Sequence, residues 1–163
     1  MKNVVLIGMP GVGKSTVGVV LAKNMGMAFI DSDLVIQEKY GKKLHELIDE
    51  YGIEGFIKIE DEINVSIYPK KSVIATGGSA VYGENAMQHF KEISKIIYLK
   101  LSYQSITERL GDLTSRGVVL KEGQTLENLY EERVPLYEKY ADKVIDCENK
   151  VIREIVNEIS KVL

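Results

Sequence analysis

Gly8-Met9-Pro10-Gly11-Val12-Gly13-Lys14-Ser15 follows the apolar run Val4-Val5-Leu6-Ile7 and leads into a helical pattern from about Ser15. The spacing is G-x-x-x-x-G-K-[ST] in the order strand, glycine-rich turn, helix. Glycines let the backbone curl so that successive N–H groups converge on an anion. The helix that follows aims the positive end of its dipole at the same point. Lys14 adds a mobile charge for the terminal phosphates of a nucleotide, and the Ser15 hydroxyl stands where a Mg²⁺ ligand belongs. The plainer reading is a turn that only links a strand to a helix. With motif, strand and helix all in place, a nucleotide phosphate site is favoured.

Working outward, short apolar runs alternate with helical patterns. Val4–Ile7, Ala28–Ile30, Val73–Ala75, Ile96–Leu101 and Val144–Ile145 read as strands. Several are apolar throughout, as expected of a parallel sheet covered on both faces. Helical patterns cover Thr16–Met25, Asp33–Tyr40, Leu44–Tyr51, Phe56–Tyr68, Gln104–Leu110, Leu126–Tyr140 and Val151–Val162. Gly26, Gly41 and Gly52 follow three of them as plausible helix ends. The alternation predicts an α/β fold with a doubly wound parallel sheet, whose ligands bind at the carboxyl ends of the strands.

The chain has 163 residues, which suits one domain with a sizeable core. Apolar residues at 45% and charged residues at 28% are ordinary for a globular protein. No apolar run is long enough to predict a membrane span. Met1-Lys2-Asn3 runs straight into the first strand without signal-peptide architecture, so the expected location is the cytoplasm. Cys147 is the single cysteine and reads as a packing residue. The net charge of −3, with no basic stripe, argues against a nucleic-acid surface. His45 and His89 have no metal-ligand spacing with each other or with Cys147.

Further candidates lie at strand ends. Phe29-Ile30-Asp31-Ser32-Asp33 brings two acids to the end of the second strand. One could serve a metal and the other an attacking hydroxyl, as phosphoryl transfer requires. Helix N-capping explains such residues equally well on spacing alone. Gly77-Gly78 follows the third strand and offers close backbone approach to a ligand, although paired glycines are often only a turn. In Glu132-Arg133-Val134-Pro135-Leu136-Tyr137, Arg133 could clamp an anion or sit on a surface helix. Gly111–Gln124 is long, glycine-bearing and aperiodic, and the arginine inside it, Arg116, favours a lid over an idle loop. Glu60-Asp61-Glu62 reads chiefly as a solvated helix face.

Taken together these motifs resemble the shikimate kinase family, over nearly the whole chain and in the family's order. The family pattern is a P-loop, D-[ST]-D, F-R-x-x-E, G-G-G-[AG], a T-R-P lid and E-R-x-P-x-Y. Here the segments are Gly8–Ser15, Asp31-Ser32-Asp33, Phe56-Ile57-Lys58-Ile59-Glu60, Gly77-Gly78-Ser79-Ala80, Thr114-Ser115-Arg116-Gly117 and Glu132–Tyr137. The resemblance implies a P-loop NTPase-type domain over 1–163, with a five-stranded parallel sheet, helices on both faces, an acceptor-binding helical region near 33–62 and a lid near 111–124. It implies ATP and Mg²⁺, a small hydroxylated acceptor such as shikimate, and a monomer with no membrane or nucleic-acid partner. Residue by residue, Gly11, Val12, Gly13, Lys14, Ser15 and Thr16 would hold the ATP phosphates. Ser15, with Asp31 acting through water, would hold Mg²⁺. Asp33 would bind and act on the attacking hydroxyl. Gly77, Gly78 and Ser79 would meet the acceptor through the backbone, and Arg133 would bind its carboxylate. Arg116 would close over the phosphates, while Arg109 would lie against adenine. Glu60 matches the family's glutamate in F-R-x-x-E and would orient groups at the acceptor site.

Three departures stand out. Ile57 occupies the position of an arginine that helps hold the carboxylate, a charged hydrogen bond of about 1.5–3 kcal/mol. Its loss corresponds to about ten- to a hundredfold in affinity. Lys58 is the nearest cation in sequence, but a helical neighbour points about 100° away. Ser79 replaces the third glycine, and Gly117 replaces the lid proline. The leading expectation is therefore shikimate kinase. The alternatives are a related kinase for another small hydroxylated metabolite, favoured by Ile57, or a nucleotide-binding protein without transfer activity. Lys14→Ala is expected to abolish turnover with little change in fold, checked by coupled ADP release beside circular dichroism.

Overall fold

A computed structural model describes residues 2–110 and 120–163. Arg116 and most of the expected lid lie outside the described residues. The sheet has five parallel strands in the order β2-β3-β1-β4-β5. These are β1 (Asn3–Ile7), β2 (Ala28–Asp31), β3 (Ser72–Ala75), β4 (Ser94–Lys100) and β5 (Lys143–Asp146). The central strands β1 and β3 are buried at every residue, which is why their sequences show no polar alternation.

Strand order decides where the helices go. From β1 the chain steps through α1 (Lys14–Met25) to β2 on one side of the sheet. It then crosses back past β1 to β4 and β5. Parallel connections are right-handed, so reversing direction changes the face that the connecting helix covers. Accordingly α1 packs against α7 (Ile152–Val162), whereas α4 (Glu84–Ile93) and α6 (Leu126–Tyr140) lie against β4. The short α5 (Tyr103–Arg109) contacts α6.

Between β2 and β3 the chain forms α2 (Ser32–Tyr40) and α3 (Leu44–Val65). These carry their own apolar cluster of Ile36, Leu47, Phe56, Ile59 and Ile63, distinct from the main core around the sheet. α3 is broken at Gly52, whose φ of 72° leaves the helical region. The sequence expectation of a helix ending there is met. The next stretch, however, resumes at 53 and stops at Val65, earlier at both ends than Phe56–Tyr68. Helix α4 has no counterpart in the sequence reading. Its buried Ala86, Met87 and Phe90 give it a clear amphipathic period, so the signal was present. Pro135 lies inside α6, and the helix continues through it to Tyr140.

The carboxyl ends of β1, β2 and β3 open on one crease. Thr76, just past β3, binds the Leu6 carbonyl of β1 through both its amide (3.3 Å) and its hydroxyl (2.8 Å). This fixes the β3 turn beside the β1 turn. Cys147 is fully buried behind β5, and burial pushes its thiol up to about 12. It is a packing residue.

Candidate active site

The crease holds a cavity of about 310 Å³ lined by groups from each strand end, among them Lys14, Ser15, Asp33, Glu60, Gly78 and Arg133. Four ionisable side chains meet here under heavy burial. Exposure is 7% for Lys14, 2% for Glu60 and 1% for Arg133, and Asp33 is largely enclosed.

The loop after β1 sets the first group. A Cβ on Gly8 would stand 2.7 Å from the Leu99 carbonyl oxygen of β4, so only glycine lets the chain leave the sheet here. Lys14 Nζ donates to the carbonyls of Gly8 (2.7 Å) and Met9 (2.9 Å). An ammonium has a third proton, and Lys14 lines the cavity with it. Burial lowers the Lys14 ammonium to about 8, opposed mainly by the charge of Asp33. The structure sinks the lysine of this loop into the protein.

Asp31 ends β2 and does two jobs. Its Oδ1 accepts the amides of Asp33 (3.0 Å) and Leu34 (3.4 Å), capping α2. Its Oδ2 accepts from Ser15 Oγ at 2.9 Å. Capping and metal-site readings are therefore compatible, because the carboxylate has two oxygens. Asp33 turns inward, and its Oδ1 has no hydrogen-bond partner among the described residues. Burial pushes the Asp33 carboxyl up to about 6, reinforced by Asp31 and opposed by Lys14.

Glu60 corrects the sequence reading. It lies not on a solvated face but inside the cavity, where Oε1 accepts from Ser79 Oγ at 2.6 Å. Its Oε2 has no partner among the described residues. Burial drives the Glu60 carboxyl up to about 7; Asp33 adds to this, while the Ser79 hydrogen bond, Arg133 and Lys14 oppose it. Its neighbour Asp61 turns to α4 and accepts from the Ala86 amide at 2.7 Å. The side chain of Ser79, which departs from the resembled pattern, is thus spent on Glu60. Lys58 is exposed and does not reach inward in place of a cation at 57.

Gly77 separates the two acids. A Cβ there would fall 2.8 Å from both Asp33 Oδ1 and Glu60 Oε2. Beyond it, the Gly78 carbonyl accepts from Tyr137 Oη at 2.7 Å, and Tyr137 stacks on Tyr98 of β4 with centroids 5.0 Å apart. Arg133, one turn earlier on α6, lies over the Tyr82 ring at 5.4 Å. Tyr82 in turn donates to Glu132 at 2.9 Å. Sequence reasoning missed Tyr82 and gave Tyr137 no role, although Tyr137 sits in the quoted Glu132–Tyr137 motif. Arg109 crosses to the phosphate loop and donates to the Val12 carbonyl at 3.2 Å. It also lines a second cavity of about 300 Å³ with Ser105, Glu148 and Lys150.

A family model described as shikimate kinase matches residues 10–163. The chain belongs to the shikimate kinase family. The shikimate kinase of Thermodesulfovibrio yellowstonii is 40% identical over 99% of this chain and 94% of that protein. That of Francisella tularensis subsp. novicida is 38% identical over the same shares. Among solved structures, a shikimate kinase from Acinetobacter baumannii in complex with shikimate matches with a TM-score of 0.90 and 29% identity, over 99% of this chain and 92% of that one. The enzyme from Aquifex aeolicus matches at 0.84 and 30%, over 98% and 94%. The family's use of ATP and Mg²⁺ fits the residues present. Ser15 Oγ and Asp31 Oδ2 supply paired oxygens beside the loop, as a hard cation prefers. Among the described residues no cluster of three or more His, Cys, Asp or Glu forms a protein-only metal cage.

Gly77→Ala is expected to push Asp33 and Glu60 apart and to lower kcat/KM for the acceptor by about a hundredfold, since misplacement near 1 Å costs that much. ADP affinity, measured by calorimetry, is expected to change little.

Proposed function

We infer that this chain transfers the terminal phosphoryl group of ATP to a hydroxyl of shikimate, giving ADP and shikimate 3-phosphate on the way to the aromatic amino acids. The observation that carries the reading, beside family membership, is Asp33. Its buried, unpartnered oxygen shares one cavity with the phosphate-loop lysine and with Arg133. A binder without transfer activity has no use for that acid.

The residues divide the work. The loop amides from Gly11 to Thr16 cradle the phosphates, with Lys14 adding its third proton to the oxygens that gain charge. Ser15 and Asp31 hold Mg²⁺, which when bound neutralises phosphate charge. Arg109 and the cavity beside it take the adenine base, and Arg116 closes the site over the phosphates. Asp33 accepts the hydrogen bond of the attacking hydroxyl and takes its proton as the bond to phosphorus forms. A carboxyl titrating near 6 is a stronger base than an ordinary aspartate and is still ionised at neutral pH. Gly78 and Ser79 approach the acceptor through the backbone, and Arg133 grips its carboxylate through a planar fork. The helices from 33 to 62, with their separate apolar cluster, form the acceptor-binding region. We take the enzyme to act as a monomer. Among the described residues no helix is long and apolar enough to cross a membrane. We place the enzyme in the cytoplasm, with its nucleotide.

The test is acceptor-dependent ADP release with shikimate. The Asp33 carboxyl lies above the ordinary carboxylate range, so the base is ionised above pH 6 and neutralised below it. Accordingly kcat is expected to fall about tenfold per pH unit below 6. No turnover with shikimate, or turnover without this acid limb, would count against the assignment. Ile57→Arg is expected to lower KM for shikimate by about tenfold or more through an added charged hydrogen bond. An unchanged or raised KM in steady-state kinetics would contradict the carboxylate's placement beside α3.

A further inference from the structure

The charges in the acceptor cavity do not balance if every acid is ionised. On the reading above, the acceptor brings a carboxylate to a space already holding Asp33 and Glu60. Among the described residues, Lys14 and Arg133 are the cations that line this cavity and face these groups. Three anions against two cations in a buried crease is costly, because uncompensated buried charge is strongly disfavoured. With one acid neutral, the count is two against two. Asp33 must be ionised to act as base, which leaves Glu60.

The geometry agrees. Glu60 makes no ion pair among the described residues. Ile57, one turn before it on α3, offers no charge, and Lys58 points to solvent. Ser79 Oγ donates to Oε1 at 2.6 Å, so a proton on the carboxyl belongs on Oε2. Oε2 is the oxygen without a partner, and it faces the space beside Gly77.

We propose that Glu60, anchored through Oε1 by Ser79, keeps a proton on Oε2 and donates it in a hydrogen bond to the acceptor's carboxylate. Arg133 and a neutral carboxyl group then hold that anion together, where a second cation would otherwise be needed. This rests on shikimate as the acceptor. The groups facing Glu60 are Lys14 from α1, Asp33 from α2 and Arg133 from α6, the last backed by Tyr82. From α4, Asn85 and the Ala86 amide engage Asp61 and His89 binds the Ile67 carbonyl, so none of them turns to Glu60. The net effect of these groups and of burial is to keep the carboxyl protonated up to about 7. Acceptor binding is therefore strongest below that pH and weakens as the proton leaves.

The experiment is KM for shikimate at saturating ATP and Mg²⁺ from pH 6 to 8.5, for wild type, Glu60→Gln and Ser79→Ala. Wild-type KM is expected to rise about tenfold or more across this range. Gln presents a neutral donor at all pH values. Glu60→Gln is therefore expected to bind shikimate about tenfold more tightly than wild type at pH 8.5, with a flattened profile. The Ser79 bond favours the ionised form, so Ser79→Ala is expected to move the rise in KM to higher pH. A purely structural contact would not shift that midpoint. The proposal is overturned if Glu60→Gln binds more weakly than wild type at pH 8.5, or keeps the wild-type pH dependence. Should that variant fail to fold, a Ser79→Ala midpoint that stays put or moves down overturns it instead. A wild type that turns over shikimate with no rise in KM sinks this proposal alone. One that releases no ADP with shikimate sinks the underlying assignment as well.

Discussion

Two acids and two bases buried in one crease are what the rest of this structure serves. Removing an ion from water costs several kcal/mol, so the charged members of this group are tolerable only with their opposites in place. Lys14 comes from the start of α1, Asp33 from the first turn of α2, Glu60 from α3 and Arg133 from α6. Only a parallel sheet that winds outward in both directions from β1 delivers these four segments to one edge. The tie from Thr76 to Leu6 and the hydroxyl bond from Tyr137 to Gly78 keep that edge from splaying.

The phosphate half of the site was legible because its chemistry is local. Eight consecutive residues specify a turn, an amide nest, an ammonium and a metal ligand, and no distant contact is needed to interpret them. The inner strands β1, β3 and β4 were legible for a related reason, since burial on both faces writes continuous apolar runs. The acceptor half was not legible in the same way. In Glu60-Asp61-Glu62 three adjacent acids have three different fates: one enters the cavity, one caps α4 and one faces solvent. A helix turning 100° per residue makes that possible, but which acid turns inward depends on where α3 sits against the sheet. The partnership of Ser79 with Glu60 spans nineteen positions and leaves no periodic trace. Helix α4 is a different case. Its period was readable, and it was overlooked between the glycine turn and the β4 run.

The division into two apolar clusters gives this unevenness a physical basis. The main core builds the sheet and the phosphate loop, and changes there disturb both. The cluster under α2 and α3 is smaller, and the break at Gly52 falls within it. Its members Leu44 and Phe56 also line the cavity, so substitutions there alter the cavity wall directly.

One consequence follows from the two carbonyls that engage Lys14. The ammonium staples the start of the loop to itself, so the curve of the backbone is set by the protein's own bonds. An arriving triphosphate meets a finished mould and spends none of its affinity on ordering a slack segment. Encounter with nucleotide is thereby a matter of docking onto a loop already curved.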